Sequence, residues 1–438
     1  MAEIRPFPGI HYNPLLVEDL SKVICPPYDI IPPAMEQELR ERSPYNFVRV
    51  EYGRQLPQDT SEDNKYTRSA LTLKGWLEQG MVVVDEGPAI YIHDHYYSYQ
   101  GRQYRRRGMT VSVRLEEWDK MVVRPHEATL AQPRSDRLNL LWALGVNTSP
   151  IMALFADSEQ KIAALLALKE RDRPVLALSE AGGERHEVRA ITEPEIIARI
   201  SACLADQPVY IADGHHRYES ALTYQRERRA GAASPSEDEA YNFVMMTLVD
   251  FADPGLVVLP PHRLVRGISR ANLAELAGKL GQLFDVEELP LETAGVWQRV
   301  GQWLSGEGDR VKLAILGLVP GQVLTLALRD RATVSQIIPY FHSEQYKSLD
   351  VSIIDHVILE EFLGLDRSRQ GEALLAYNAD SQDAVSRVMD GEYQLAFLLS
   401  PVKVGVIKAM ADTGERMPGK STYFHPKLPA GLVFSRVG

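Results

Sequence analysis

Cysteine is almost missing from this chain: Cys25 and Cys203 are the only two in 438 residues. They lie far apart and form no CxxC or metal-ligand spacing, which argues against a disulfide scaffold and a structural zinc site. Two small buried thiols in a reducing compartment are expected instead. No run of about 18 apolar residues occurs, so no membrane span is expected. The start, Met1-Ala2-Glu3-Ile4-Arg5-Pro6, lacks the apolar core of a signal peptide, and the expected location is cytoplasmic. Basic residues are in the minority, 48 Lys and Arg against 59 Asp and Glu, a formal charge of −11. A long polyanion is a poor partner for such a surface, so no nucleic acid is expected. A GxSxG elbow, an HExxH helix and a repeat of fixed period are also absent.

What is present is ordinary globular material, 45% hydrophobic and 24% charged, long enough for several cores. Apolar spacing predicts a helix over Glu62–Gln79, a hairpin of Ala89–Tyr99 and Tyr104–Leu115 around Gly101, and a helix starting at Thr192-Glu193-Pro194. A short strand over Pro208–Ala212 then runs into a helix near His216, and Phe243–Val249 reads as a buried strand. Farther on come helices over Asn272–Phe284 and Val296–Leu304, strands over Val311–Leu318 and Val323–Leu328, and a helix from Val351. Strands over Ala373–Tyr377 and Leu395–Ser400 then alternate with helices. The expected class is mixed α/β. Four regions are expected: 1–85 and 86–268, then 269–345 as an insertion and 346–438 as a C-terminal α/β region.

Three segments do not read as packing. In Tyr210-Ile211-Ala212-Asp213-Gly214-His215-His216-Arg217 an apolar strand passes through Asp-Gly directly into a helix. Glycine there permits positive φ and close approach of a ligand, and the new helix offers N–H groups and its dipole to an anion. The two histidines and Arg217 add donors for phosphate oxygens, and Asp213 could hold Mg²⁺. The second segment, Arg124-Pro125-His126-Glu127, breaks a strand and presents a carboxylate suited to general-base work. In the third, Pro418-Gly419-Lys420-Ser421-Thr422-Tyr423-Phe424-His425-Pro426-Lys427, donors sit between prolines without helical period. Gly419-Lys420-Ser421 is not a P-loop, because Glu415 stands where the upstream glycine belongs and no helix follows. Lesser candidates are Arg102, Arg105, Arg106 and Arg107, a cationic hairpin expected to be solvated. His93 and His95 share a strand face without an identifiable carboxylate partner. Arg137, Asn147, Ser149-Pro150 and Pro260-Pro261-His262-Arg263 are candidates to border the same cleft.

Arg5-Pro6-Phe7, Pro26-Pro27-Tyr28-Asp29, Ser43-Pro44-Tyr45-Asn46, Pro125-His126-Glu127, Ala212–Glu219 and Lys420–Phe424 together resemble the prokaryotic family called domain of unknown function 1015. The Asp213–Arg217 turn further resembles the nucleotide-phosphate signature of the ParB/sulfiredoxin superfamily. Within it, the order of the three segments is similar to archaeal ADP-dependent free-serine kinases. That resemblance implies a ParB/sulfiredoxin-like core over 86–268 and a Mg²⁺-dependent kinase using ADP or ATP on free L-serine or a related hydroxy metabolite. It implies Glu127 and Asp213 as catalytic residues, Asp213 also at the metal, and His126, Gly214, His215, His216 and Arg217 at the nucleotide. It also implies Lys420, Ser421 and Thr422 near the substrate. A non-catalytic nucleotide or metabolite sensor would use the same residues without turnover. A ParB-like DNA-binding protein would need a basic helix pair that is not evident. A sulfiredoxin-type reductase would need a thiolate where His215 stands.

Overall fold

The computed structural model describes residues 2–129, 131–306, 308, 310–365 and 373–437. It is mixed α/β and divides into two compact units. The first comprises residues 1–125, 129–257 and 424–438; the second comprises 126–128 and 258–423. Among the described residues no helix is long and apolar enough to cross a membrane.

The first unit is built on a nine-stranded mixed sheet. Its main path runs Val123–Arg124, Val209–Asp213, Ile151–Phe155, Phe243–Asp250, Arg102–Arg114, Ile90–Tyr99, Arg185–Ile191 and Leu176–Ser179, with Ile4–Arg5 paired to Arg102–Arg114. Because strand side chains alternate between faces, Val244, Met246 and Leu248 enter one apolar core and Met245 the other. The sheet is thus covered on both sides, and Phe243–Val249 is buried throughout.

Local chemistry sets the boundaries. Gln100 and Gly101 both have positive φ, 49° and 75°, as a two-residue hairpin turn demands, and the predicted hairpin forms there. The helix predicted from Glu62 begins at Lys65, because the Asn64 side chain accepts from Tyr66 and Thr67 while Thr67 Oγ1 accepts from Asn64. Pro194 occupies the first turn of Pro194–Leu204 as expected. Cys25 is buried as anticipated, but Cys203 is only partly so, lying at the edge of a core.

The second unit carries a six-stranded antiparallel sheet in the order Phe284–Pro290, Gln322–Leu328, Lys312–Leu316, Leu395–Leu399, His262–Val265, Leu375–Asn378. Helices Val296–Ser305 and Ser381–Met389 contribute Val296, Val300 and Ala384 to its core. The residues His262 and Arg263, candidates to border a cleft, are structural instead. Arg263 is fully buried and donates to both oxygens of Asp355 at 3.1 and 3.2 Å. His262 Nδ1 accepts from the Leu399 N–H at 3.1 Å.

Burial, with the neighbouring Arg263 charge, pulls the His262 pKa down to about 4. Between that value and the ordinary imidazole value of about 6.5, the unfolded chain binds a proton that the folded chain refuses. This contribution therefore falls as pH falls through that window, by about 3 kcal/mol in all. Denaturation of wild type and His262→Asn at pH 7 and pH 4.5 checks it. The variant is expected to lose much less stability on acidification than wild type, and equal losses would refute the assignment.

Candidate functional site

Asp213 ends the strand Val209–Asp213, at a register irregularity against Ile151–Phe155 between Ile211 and Asp213. Gly214 follows with φ of 97° and caps the 17-residue helix His215–Gly231. Its lack of a side chain does two things. It allows the left-handed backbone, and it leaves room for Arg217, whose Nε would lie 2.8 Å from a Cβ at that position.

The Arg217 guanidinium folds back over this turn. Nη2 donates to Asp213 Oδ2 at 2.7 Å, and Nη1 donates to Ser149 Oγ at 3.1 Å and to the Pro150 carbonyl at 2.5 Å. Its Nε is buried and has no hydrogen-bond partner among the described residues. Lys427 donates to Asp213 Oδ1, the other carboxylate oxygen, and lies 3.9 Å from Asp29 Oδ2. Burial alone would raise the Asp213 pKa, but the Lys427 and Arg217 charges hold it well below the usual carboxylate range. Arg137 stacks over the Tyr28 ring at 4.0 Å and lines a cavity of about 30 Å³ together with Arg217, Asn147 and Ser149. His215 is buried at the helix start and His216 is partly buried. The turn expected to cradle phosphate is therefore assembled within one unit, with Asp29, Arg137, Ser149 and Lys427 added to it.

The second unit holds His126 and Glu127 of the second segment and Pro418–Tyr423 of the third, whereas Arg124-Pro125 and Phe424–Lys427 belong to the first unit. Glu127 Oε1 accepts from the Ser421 N–H at 3.0 Å, the Thr422 N–H at 3.1 Å and Thr422 Oγ1 at 3.2 Å. His126 Nε2 lies 2.8 Å from Thr422 Oγ1. A hydroxyl that donates to Glu127 accepts from His126, which orders the three groups in one line. The backbone reinforces the contact: Met417 N–H donates to the His126 carbonyl at 2.7 Å, and Ser421 Oγ to the Pro418 carbonyl at 2.5 Å. Lys420, at φ 58°, is exposed. His126, expected at the nucleotide, bonds Thr422 beside Glu127.

Mg²⁺ does not fit Asp213 as it stands. Each carboxylate oxygen already accepts from a cationic side chain, and these two positive charges neutralise the carboxylate and repel a divalent cation.

His95 of the hairpin has a carboxylate partner that the sequence did not reveal, Glu184, while His93 bonds His186 at 3.0 Å. His186 faces His95 across paired strands, and the ligand atoms of His95, Glu184 and His186 lie within 4.8 Å of one another. The hydrogen bonds nonetheless oppose a metal. Arg106, which can only donate, donates to His95 Nδ1 at 3.2 Å; His95 Nε2 must then carry the proton it gives Glu184 at 2.6 Å. That nitrogen has no lone pair for a cation. Burial and the neighbouring His186 hold the pKa values of His93 and His95 well below the imidazole range, so the rings stay neutral. Arg106 itself, expected on a solvated face, is buried and also bonded to the carbonyls of His425 and Pro426. Strand alternation turns it inward, opposite to exposed Arg105.

Comparison with curated proteins gave no match. Among solved structures, a free serine kinase in complex with AMP is 13% identical, with a TM-score of 0.37 over 75% of this chain and 91% of that one. A conserved hypothetical protein from Pyrococcus furiosus is 15% identical, TM-score 0.35, over 74% of this chain and 93% of that one. SbnI with a C-terminal truncation, from Staphylococcus aureus, is 10% identical, TM-score 0.32, over 74% and 85%. The family model described as protein of unknown function (DUF1015) matches residues 4–352, and the chain belongs to that family.

Proposed function

We propose that this chain is a phosphotransferase, moving a phosphoryl group from ADP or ATP to the hydroxyl of free L-serine or a related small hydroxy metabolite. The observation that carries the reading is the turn at Asp213–Arg217. A strand ends, a positive-φ glycine follows, and a long helix begins at a largely buried guanidinium whose Nε has no hydrogen-bond partner among the described residues. A buried donor left unmade is costly, and a phosphate oxygen is the acceptor that a helix N-terminus and an arginine together favour.

Phosphoryl transfer asks mainly for positioning and neutralised charge. In this reading Arg217, Lys427 and the helix start offset phosphate charge, with His215 and His216 beside them. Asp213 is a positioning residue that holds the two cations. Glu127 takes the hydroxyl proton, and Lys420, Ser421 and Thr422 belong to the acceptor side. Mg²⁺ enters as a companion of the nucleotide's own phosphates. The ParB/sulfiredoxin-like description of the core belongs to the same proposal.

The test is nucleotide turnover. With Mg²⁺ and a panel of hydroxy amino acids, ADP is expected to become AMP, or ATP to become ADP, only when an acceptor is present. Tight nucleotide binding without acceptor-dependent turnover would replace this reading by that of a sensor.

A further inference from the structure

We propose that the first unit carries a second anion site, a receptor for a small phosphate-bearing ligand, formed where Arg40, Arg49 and Arg54 meet Lys65, Arg68 and Thr72. These residues line a cavity of about 200 Å³. They come from the helix Pro33–Arg42, the short helix Val48–Glu51 and the loop after it, and the helix Lys65–Glu78. In a chain of net charge −11, five cationic side chains on one cavity are unusual.

Four of the five have carboxylate partners. Arg40 bonds Glu36 at 2.7 Å, Arg54 lies 3.4 Å from Glu36, Lys65 bonds Asp136 at 2.5 Å, and Arg68 bonds Asp59 at 2.6 Å and Asp63 at 2.8 Å. Arg49 differs. Its Nη2 donates to the Arg40 carbonyl at 2.8 Å, and among the described residues its buried Nε has no hydrogen-bond partner and no carboxylate pairs with it. Burial, with the charges of Arg40 and Arg54, lowers its pKa. A guanidinium held among like charges with an unmade buried donor lacks one component, an anion.

Guanidinium forks match phosphate oxygens. The cavity is smaller than the roughly 300–1,000 Å³ of drug-sized sites, which points to orthophosphate or the monoester of a small molecule rather than a nucleotide. This site shares no residue with the Asp213–Arg217 turn, so it stands or falls separately from the proposed transfer.

Calorimetric titration of the full chain with orthophosphate and with glycerol 3-phosphate tests it in the Arg217→Gln background, which removes the guanidinium of the Asp213–Arg217 turn, with and without Arg49→Gln. Arg49→Gln is expected to weaken the binding seen in that background by about tenfold or more. Tighter binding of the ester identifies a phosphorylated metabolite as the ligand; tighter binding of orthophosphate identifies the free ion. If Arg49→Gln does not fold, Arg54→Gln, whose side chain is 49% exposed, replaces it with an expected loss of about threefold or more. In the Arg217→Gln background, phosphate binding that survives both cavity substitutions, or that is undetectable, would overturn the proposal.

Discussion

Glu127→Gln is expected to slow phosphoryl transfer by about 10²–10⁴-fold while nucleotide affinity stays within about threefold. The substitution is close to isosteric, and an amide oxygen can still accept from the Ser421 and Thr422 N–H groups that Glu127 Oε1 now holds. The 417–422 segment therefore keeps its anchor, and what disappears is the ability to take a proton. Glu127→Ala removes both and should loosen that segment as well. Comparing the two by turnover and by limited proteolysis separates the chemical role from the structural one. Full turnover by Glu127→Gln would remove Glu127 from the reaction.

Asp213→Ala should be the most destabilising single change in the first unit, at about 3–5 kcal/mol, because it leaves Arg217 and Lys427 partly buried around a lost counter-charge. Their side chains are only 11% and 10% exposed, so water cannot replace the carboxylate. Added nucleotide should recover part of the loss, since phosphate would supply the missing negative charge. The pH dependence has a definite sign. Because the folded pKa of Asp213 is depressed, its contribution is fully present above the ordinary carboxylate value of about 3.9 and is lost only as pH falls further toward the folded value. Urea unfolding of wild type and Asp213→Ala should therefore differ by a constant amount from pH 5 to 8. A difference under about 1 kcal/mol would contradict the buried-cluster account.

Much of the fold could be read from local pattern because local physics decided it. The Gln100-Gly101 turn, Pro194 at a helix start and the apolar run at Phe243 each specify their own element. The strand Phe284–Pro290 escaped because it follows a helix without a break and its exposed stretch Asp285–Glu288 carries three carboxylates, which read as loop. Arg106 was misplaced because a run of arginines suggests solvent, whereas strand alternation sends one of them inward. In the candidate site, the Asp-Gly-His-His-Arg turn was legible since strand, glycine and helix start are contiguous. The contact between Glu127 and Ser421-Thr422 spans nearly 300 positions and has no local signal; only the order of motifs suggested it. Lys427 was visible in its segment but not assigned, because nothing near it in sequence reveals Asp213 as its partner.

The most direct measurement is ³¹P NMR of the wild-type chain with Mg²⁺, ADP or ATP, and L-serine or a related hydroxy amino acid. The account predicts a new phosphomonoester resonance that grows in step with AMP or ADP and is nearly absent with Glu127→Gln. Saturable nucleotide binding with no phosphomonoester from any acceptor in the panel would contradict it.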